Sequence, residues 1–107
     1  MSNTQITLTD FCKLHKDLAA NEVVLDVRDE DEFAAGHIPN ALNIPLDQIN
    51  ARTDELKNFA KIYIHCKRGG RAKRAFESLE QLGLKNLVCI YDAGMDMWIE
   101  CGYPVNK

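Results

Sequence analysis

No apolar run in this chain approaches the ~20 residues that a membrane-spanning helix needs, and no membrane role is expected. The stretch Met1-Ser2-Asn3-Thr4-Gln5 has neither a basic n-region nor an apolar h-region, so no secretory signal is expected. Cys12, Cys66, Cys89 and Cys101 form no Cys-x-x-Cys pair and no zinc-ligand spacing. A reducing, cytoplasmic compartment is expected for such thiols, and nothing calls for a metal or a cofactor. Repeats, low-complexity segments and linkers are missing too. So is an excess of positive charge: the formal net charge is −3, which argues against a nucleic-acid partner.

What remains is an ordinary globular composition, with 46% apolar and 27% charged residues. A length of 107 residues suits one domain spanning the whole chain, 1–107, around one core. Leu8, Phe11, Leu14 and Leu18 recur at helical spacing, which predicts a helix over 9–18 capped by Thr7 or Thr9. Val23–Val27, Ile62–His65 and Leu87–Ile90 read as buried strands, and Ala41–Ile44 as a short one. Asp29–Ala35 reads as an acidic helical turn closed by Gly36, and Leu46–Phe59 as one or two short helices. Ala72, Ala75, Phe76, Leu79 and Leu82 predict the apolar face of a helix that ends at Gly83. Gly94–Ile99 predicts a last short helix. Strands alternating with helices predict an α/β fold with a mainly parallel central sheet flanked by helices on both faces. Ligands of such sheets sit at the carboxyl ends of strands.

One strand end carries chemistry. Ile62-Tyr63-Ile64-His65 runs into Cys66-Lys67-Arg68-Gly69-Gly70-Arg71, and a helical pattern follows at once. Charge is concentrated here. Residues 1–55 hold eleven acidic and four basic side chains, whereas residues 56–76 hold seven basic and no acidic ones. Gly69 and Gly70 are expected to adopt positive φ and turn backbone N–H groups inward. A helix N-terminus, inward amides and cations together favour a thiolate, the nucleophilic form of cysteine. Lys67, Arg68 and Arg71 are assigned to attracting anions. For Lys73 and Arg74 a solvated helix face is the alternative to that role.

The loop and two further motifs resemble the rhodanese sulfurtransferase family in its single-domain form. Asp26-Val27-Arg28, Glu32-Phe33 and Gly36-His37-Ile38-Pro39-Asn40-Ala41 resemble its first signature, with Asn40 where glycine is common. Asp92-Ala93-Gly94-Met95-Asp96-Met97-Trp98 and Gly102-Tyr103-Pro104-Val105 resemble its C-terminal signature, with Ala93 at another frequent glycine position. The resemblance implies a rhodanese-like fold and a sulfur-transfer reaction without cofactor. Cys66 would be the nucleophile and persulfide carrier, with Lys67, Arg68, Gly69, Gly70 and Arg71 binding substrate. The implied partners are a small anionic donor such as thiosulfate, and a thiol or cyanide acceptor, a protein acceptor included. Arg71 has two readings, an oxyanion contact or a tie to the scaffold.

Other residues are given structural roles. Arg28 with Glu32 reads as a scaffold ion pair, and Asp26 as an acceptor for backbone amides. His37 reads as a turn residue. Strand alternation turns His65 away from the thiol of Cys66. Met95, Met97 and Trp98 either wall the pocket or pack the core. Cys89 reads as a small buried hydrophobe, and Cys12 and Cys101 as bystanders. Two other functions compete. A partner-binding module without activity has no need of an intact cysteine loop. A cysteine-dependent phosphatase uses His-Cys-x5-Arg, whereas Arg71 stands one position early and Ala72 occupies the required place.

Overall fold

A computed structural model describes residues 3–107; Met1 and Ser2, the first residues of the N-terminal stretch considered above, lie outside the described residues. Five strands, β1 (Thr4–Ile6), β2 (Glu22–Asp26), β3 (Ala41–Asn43), β4 (Lys61–His65) and β5 (Leu87–Ile90), form one sheet in the order β1-β5-β4-β2-β3. Every pairing is parallel. Helices α1 (Leu8–Leu14), α2 (Glu30–Ala35), α3 (Gly70–Gln81) and α4 (Met95–Glu100) connect or follow the strands. Among the described residues no helix is long and apolar enough to cross a membrane.

The alternation of side chains along β2 and β4 divides the core in two. Val23, Leu25, Ile62 and Ile64 face α3, whose Ala72, Ala75 and Leu79 close that layer with Ile49 and Leu56. Val24, Tyr63, Val88 and Ile90 face the opposite way, against Leu8 and Phe11 of α1 and Met95 and Trp98 of α4. Helices therefore cover both faces, as a parallel sheet requires when its strands are apolar on both sides. Successive connections run from β2 to one side and from β4 to the other. The carboxyl ends of these two adjacent strands thus flank the point where strand order reverses, the usual place for a ligand crevice.

Local chemistry explains several boundaries. Thr7 caps α1 by accepting from the amide of Asp10 at 3.1 Å. The expected helix over 9–18 is shorter, because α1 gives way to a 3-10 turn over His15–Asp17. The segment 46–59 holds two 3-10 turns, Leu46–Gln48 and Thr53–Leu56, rather than α-helix. Gly83 ends α3 with φ 92°, in the left-handed region that favours glycine. Leu82, expected on the apolar face, is the C-cap residue and half exposed, because α3 stops at Gln81. Asn40 has φ 68°, which explains why glycine suits this position and why asparagine is tolerated there. Strand β1 was not anticipated: three polar-flanked residues carry no clear strand pattern, and their pairing with β5 supplies the order.

Behind the strand ends lies a buried polar cluster. Asp26 and Arg28 form an ion pair at 2.7 Å, both side chains almost wholly buried. Arg28 also donates to the carbonyl of Gly36 at 2.8 Å, and its amide donates to Asp26 Oδ1. The expected pairing of Arg28 with Glu32 is not formed, since Asp26 is nearer in chain and satisfies the guanidinium from inside the core. Asp26 does accept a backbone amide, as anticipated. His65 is fully buried beside this pair, with Nε2 3.7 Å from Asp26 and without a hydrogen-bond partner. Burial holds His65 below the ordinary imidazole range, with the Asp26 carboxylate opposing. Removing one member of a buried ion pair strands the other charge. Arg28→Ala is expected to cost about 3–5 kcal/mol in urea unfolding. A loss below about 1 kcal/mol would show the pair to be no more than a surface-type contact.

Candidate active site

Strand β4 ends at His65, and the next residue, Cys66, is turned onto the opposite side of the sheet from it. Cys66 is only 1% exposed and forms the floor of a depression of about 400 Å³. Two amides donate to its sulfur, from Gly69 at 3.0 Å and from Ala72 at 3.3 Å. A cysteine serving only as a hydrophobe has no use for two donors. Gly69 has φ 121°, and this conformation brings its N–H onto the sulfur. Gly70 does not share it: it is the first residue of α3, with no positive φ, so the expectation of two left-handed glycines holds for one. The amide of Ala72 is an uncapped donor of the first turn of α3. It was missed in the sequence because only the register of the helix start decides which amide points at the sulfur.

The carbonyls of the same loop point away from the sulfur and are satisfied. Met95 N–H donates to Cys66 O at 2.8 Å, and Asp96 N–H to Lys67 O at 3.3 Å. The first amides of α4 therefore fix the start of the loop, ahead of the two peptide units whose amides reach the sulfur. This contact leaves no space at Gly94, where a Cβ would lie 2.0 Å from the carbonyl oxygen of Cys66. Gly69 is equally confined, with the carbonyl of Tyr91 2.7 Å from its notional Cβ.

Lys67, Arg68, Gly70, Arg71 and Arg74 line the depression with Cys66; Gly69 contributes its amide from behind. The structure thus brings all the expected site residues together. Arg71 is engaged by Glu32 of α2 through two bonds, Nη1 to Oε1 at 2.6 Å and Nη2 to Oε2 at 3.0 Å. Glu32 also accepts from the amide of Asp29. The Arg71 hydrogen bond holds the Glu32 carboxyl down at about 2, against partial burial. Arg68 bonds to Asp96 at 3.2 Å across an exposed edge. Sequence spacing gave no sign of either pair, because the partners lie far apart in the chain.

The remaining candidates fall outside the site. His37 stacks on Phe33 and bonds to its carbonyl, a turn role as read from sequence. Met95 and Trp98 are buried core residues, whereas Met97 is exposed beside Lys67 and Arg68. Cys89, buried on β5, has its thiol pushed up to about 11 by burial first and the nearby Cys66 second. Burial also pushes up the thiol of Cys12. Among the described residues no cluster of His, Cys, Asp and Glu is suited to hold a metal ion.

Two glycines of similar appearance should separate under substitution. Gly94→Ala forces overpacking against backbone and is expected to cost about 1–3 kcal/mol or more. Gly70→Ala meets nothing within 4 Å and should stay within about 0.5 kcal/mol of wild type. Urea unfolding of both variants checks this, and equal losses would contradict the assignment of Gly94 as the close-approach site. Glu32 yields a pH signature. Its folded value of about 2 lies below the ~4.3 of an unperturbed glutamate, so its stabilisation is complete above that range and is lost as pH falls through it toward 2. Glu32→Gln should lower stability at pH 7 by about 0.5–1 kcal/mol, since the pair is partly exposed. The gap to wild type should shrink as acid is added, and a gap that is constant from pH 7 to 2.5 would refute the ion pair.

Comparison with known proteins agrees with this fold. A rhodanese-related protein of Thermoplasma volcanium has the same fold with a TM-score of 0.81 and 36% identity, over 96% of this chain and 97% of that one. A sulfurtransferase of Allochromatium vinosum is 33% identical over 98 residues, 90% of this chain and 91% of its own length. Two Bacillus subtilis proteins, YrkF and YqhL, are 35% and 38% identical over shorter stretches, and the chain spans less than half the length of either. The model of the rhodanese-like domain matches residues 11–101, and the chain belongs to that family.

Proposed function

We propose that this chain is a sulfurtransferase that carries a sulfane sulfur on Cys66. The observation that carries the reading is the pair of amides on Cys66 Sγ at the floor of a cation-lined depression. Amide donors and the N-terminus of α3 stabilise negative charge on sulfur. The thiolate attacks the outer sulfur of a donor such as thiosulfate. The S–S bond of the donor breaks, sulfite leaves with the bonding electron pair, and Cys66 becomes a persulfide anion. An acceptor, cyanide or a thiolate, then attacks the terminal sulfur, and Cys66 leaves as thiolate. Neither step needs an external oxidant or a cofactor. The loop of Lys67, Arg68, Gly69, Gly70 and Arg71 forms the substrate-binding rim, with Arg71 serving to tie it to α2. The names of the Allochromatium and Thermoplasma relatives support this reading.

The phosphatase alternative is disfavoured by the same geometry. A transferring phosphoryl group needs donors around its equatorial oxygens. Here the arginine of the loop has both terminal nitrogens on Glu32. A module that only binds partners would leave the two sulfur-directed amides without purpose. All four cysteines are free thiols, the state kept in a reducing compartment, and we place the reaction in the cytoplasm. One domain over 1–107 suffices for it.

Intact-mass measurement after incubation with thiosulfate tests the carrier role. Wild type should gain one sulfur atom, removable by cyanide, and Cys66→Ser should gain none while unfolding within about 1 kcal/mol of wild type. Sulfur uptake by Cys66→Ser at the wild-type level would move the role to another cysteine.

A further inference from the structure

The cations at the mouth of the depression are not equivalent. Arg71 is committed to Glu32 by two bonds, and Arg68 is paired with Asp96. Among the described residues, Lys67 and Arg74 line the depression with no carboxylate in ion-pair range. Arg74 stands one turn beyond Gly70 on the exposed side of α3. Long helical side chains lean back toward the N-terminus of their helix. The guanidinium of Arg74 is thereby carried over the first turn of α3, toward the mouth above Cys66. Acidic side chains are close on its other flank: Arg74 also borders a groove with Glu77 and Asp47. No acidic side chain lines the depression over Cys66 itself.

We propose that Arg74, with Lys67, binds the oxyanion end of an anionic sulfur donor, so that a residue on the exposed face of α3 sets how well such donors are used. This rests on the reading of Cys66 as the sulfur carrier and adds a donor-binding residue to it. The outer sulfur of a thiosulfate or thiosulfonate faces Cys66 Sγ, while its oxygens point up toward the rim. The open guanidinium of Arg74 offers several parallel N–H donors to those oxygens, a geometry suited to tetrahedral or pyramidal oxyanions. As the S–S bond breaks, negative charge grows on the departing group, and a cation at that place assists the step. Arg71, with its fork already filled, acts as a strut instead. The assignment makes Arg74, and not Arg71, the contact for the oxyanion end of the donor.

The test is the rate at which Cys66 gains sulfur, read by intact mass: a persulfide from thiosulfate as sulfite leaves, and, from a neutral dialkyl trisulfide attacked at its central sulfur, the Cys66 alkyl trisulfide as one alkanethiolate leaves. A charge-assisted hydrogen bond corresponds to a factor of roughly ten or more. Arg74→Gln should therefore lower kcat/KM for thiosulfate about tenfold, leave the trisulfide within about twofold, and be largely rescued by Arg74→Lys. Lys73→Gln, which removes the same charge from an exposed neighbour outside the depression, controls for the general field and should change thiosulfate little. An unchanged thiosulfate rate in Arg74→Gln, an equal loss with the neutral donor, or an equal loss in Lys73→Gln would each overturn the assignment while leaving the carrier role standing. Wild type that takes sulfur at Cys66 from neither donor overturns the carrier reading, and this assignment with it.

Discussion

Two hydrogen bonds between distant parts of the backbone hold the reactive loop in shape: the amides of Met95 and Asp96 on the carbonyls of Cys66 and Lys67. With its first two carbonyls held on α4, the loop turns back so that later amides, those of Gly69 and Ala72, reach the sulfur, which gains donors without any side chain reaching it. The requirement propagates outward. Gly94 must lack a Cβ, and Gly69 must take a left-handed conformation beneath Tyr91. Strands β4 and β5 must lie side by side so that the segments following them meet. The chemistry at the cysteine is thus a property of tertiary closure, not of the short motif alone.

Charge is layered around this loop according to solvent. The innermost pair, Asp26 with Arg28, is sealed and supported by backbone contacts, which is the condition under which buried ions are tolerated. The intermediate pair, Glu32 with Arg71, ties α2 to the start of α3. The outermost, Arg68 with Asp96, is exposed and correspondingly weak. Glu32 and Asp96 each remove one cation from the pool available to an anion at the mouth. The apparent abundance of positive charge in the segment 56–76 therefore exceeds what a ligand meets.

Much of the fold was legible in the sequence. Strands β2, β4 and β5 announced themselves through β-branched apolar runs, and the apolar stripe of α3 through its spacing. Gly83 marked the end of that helix by the conformation that its position demands. The candidate cysteine stood out because a cysteine between a buried strand and a glycine-rich helix start has few structural uses. Contacts that depend on three-dimensional juxtaposition were not legible. The pairing of Arg28 with Asp26, and of Arg71 with Glu32, reverses the partnership that proximity to the acidic turn had suggested. Strand β1 was hidden because three residues at the edge need no strong pattern of their own. Arg74 kept two readings in the sequence, anion attraction or a solvated helix face, because spacing alone does not show which cations of α3 border the depression.

The two margins of the sheet have a consequence for larger encounters. Both edge strands, β1 and β3, are three residues long. A visiting polypeptide that tried to extend the sheet would find a short row of open backbone groups and gain few ladder bonds from it. Such short edges disfavour recognition by strand addition and its pathological relative, edge-to-edge growth. Under the proposed sulfur transfer, a macromolecular acceptor would dock by surface complementarity at the rim above the thiol and present its reactive atom on a protruding, flexible extension slender enough to reach the floor.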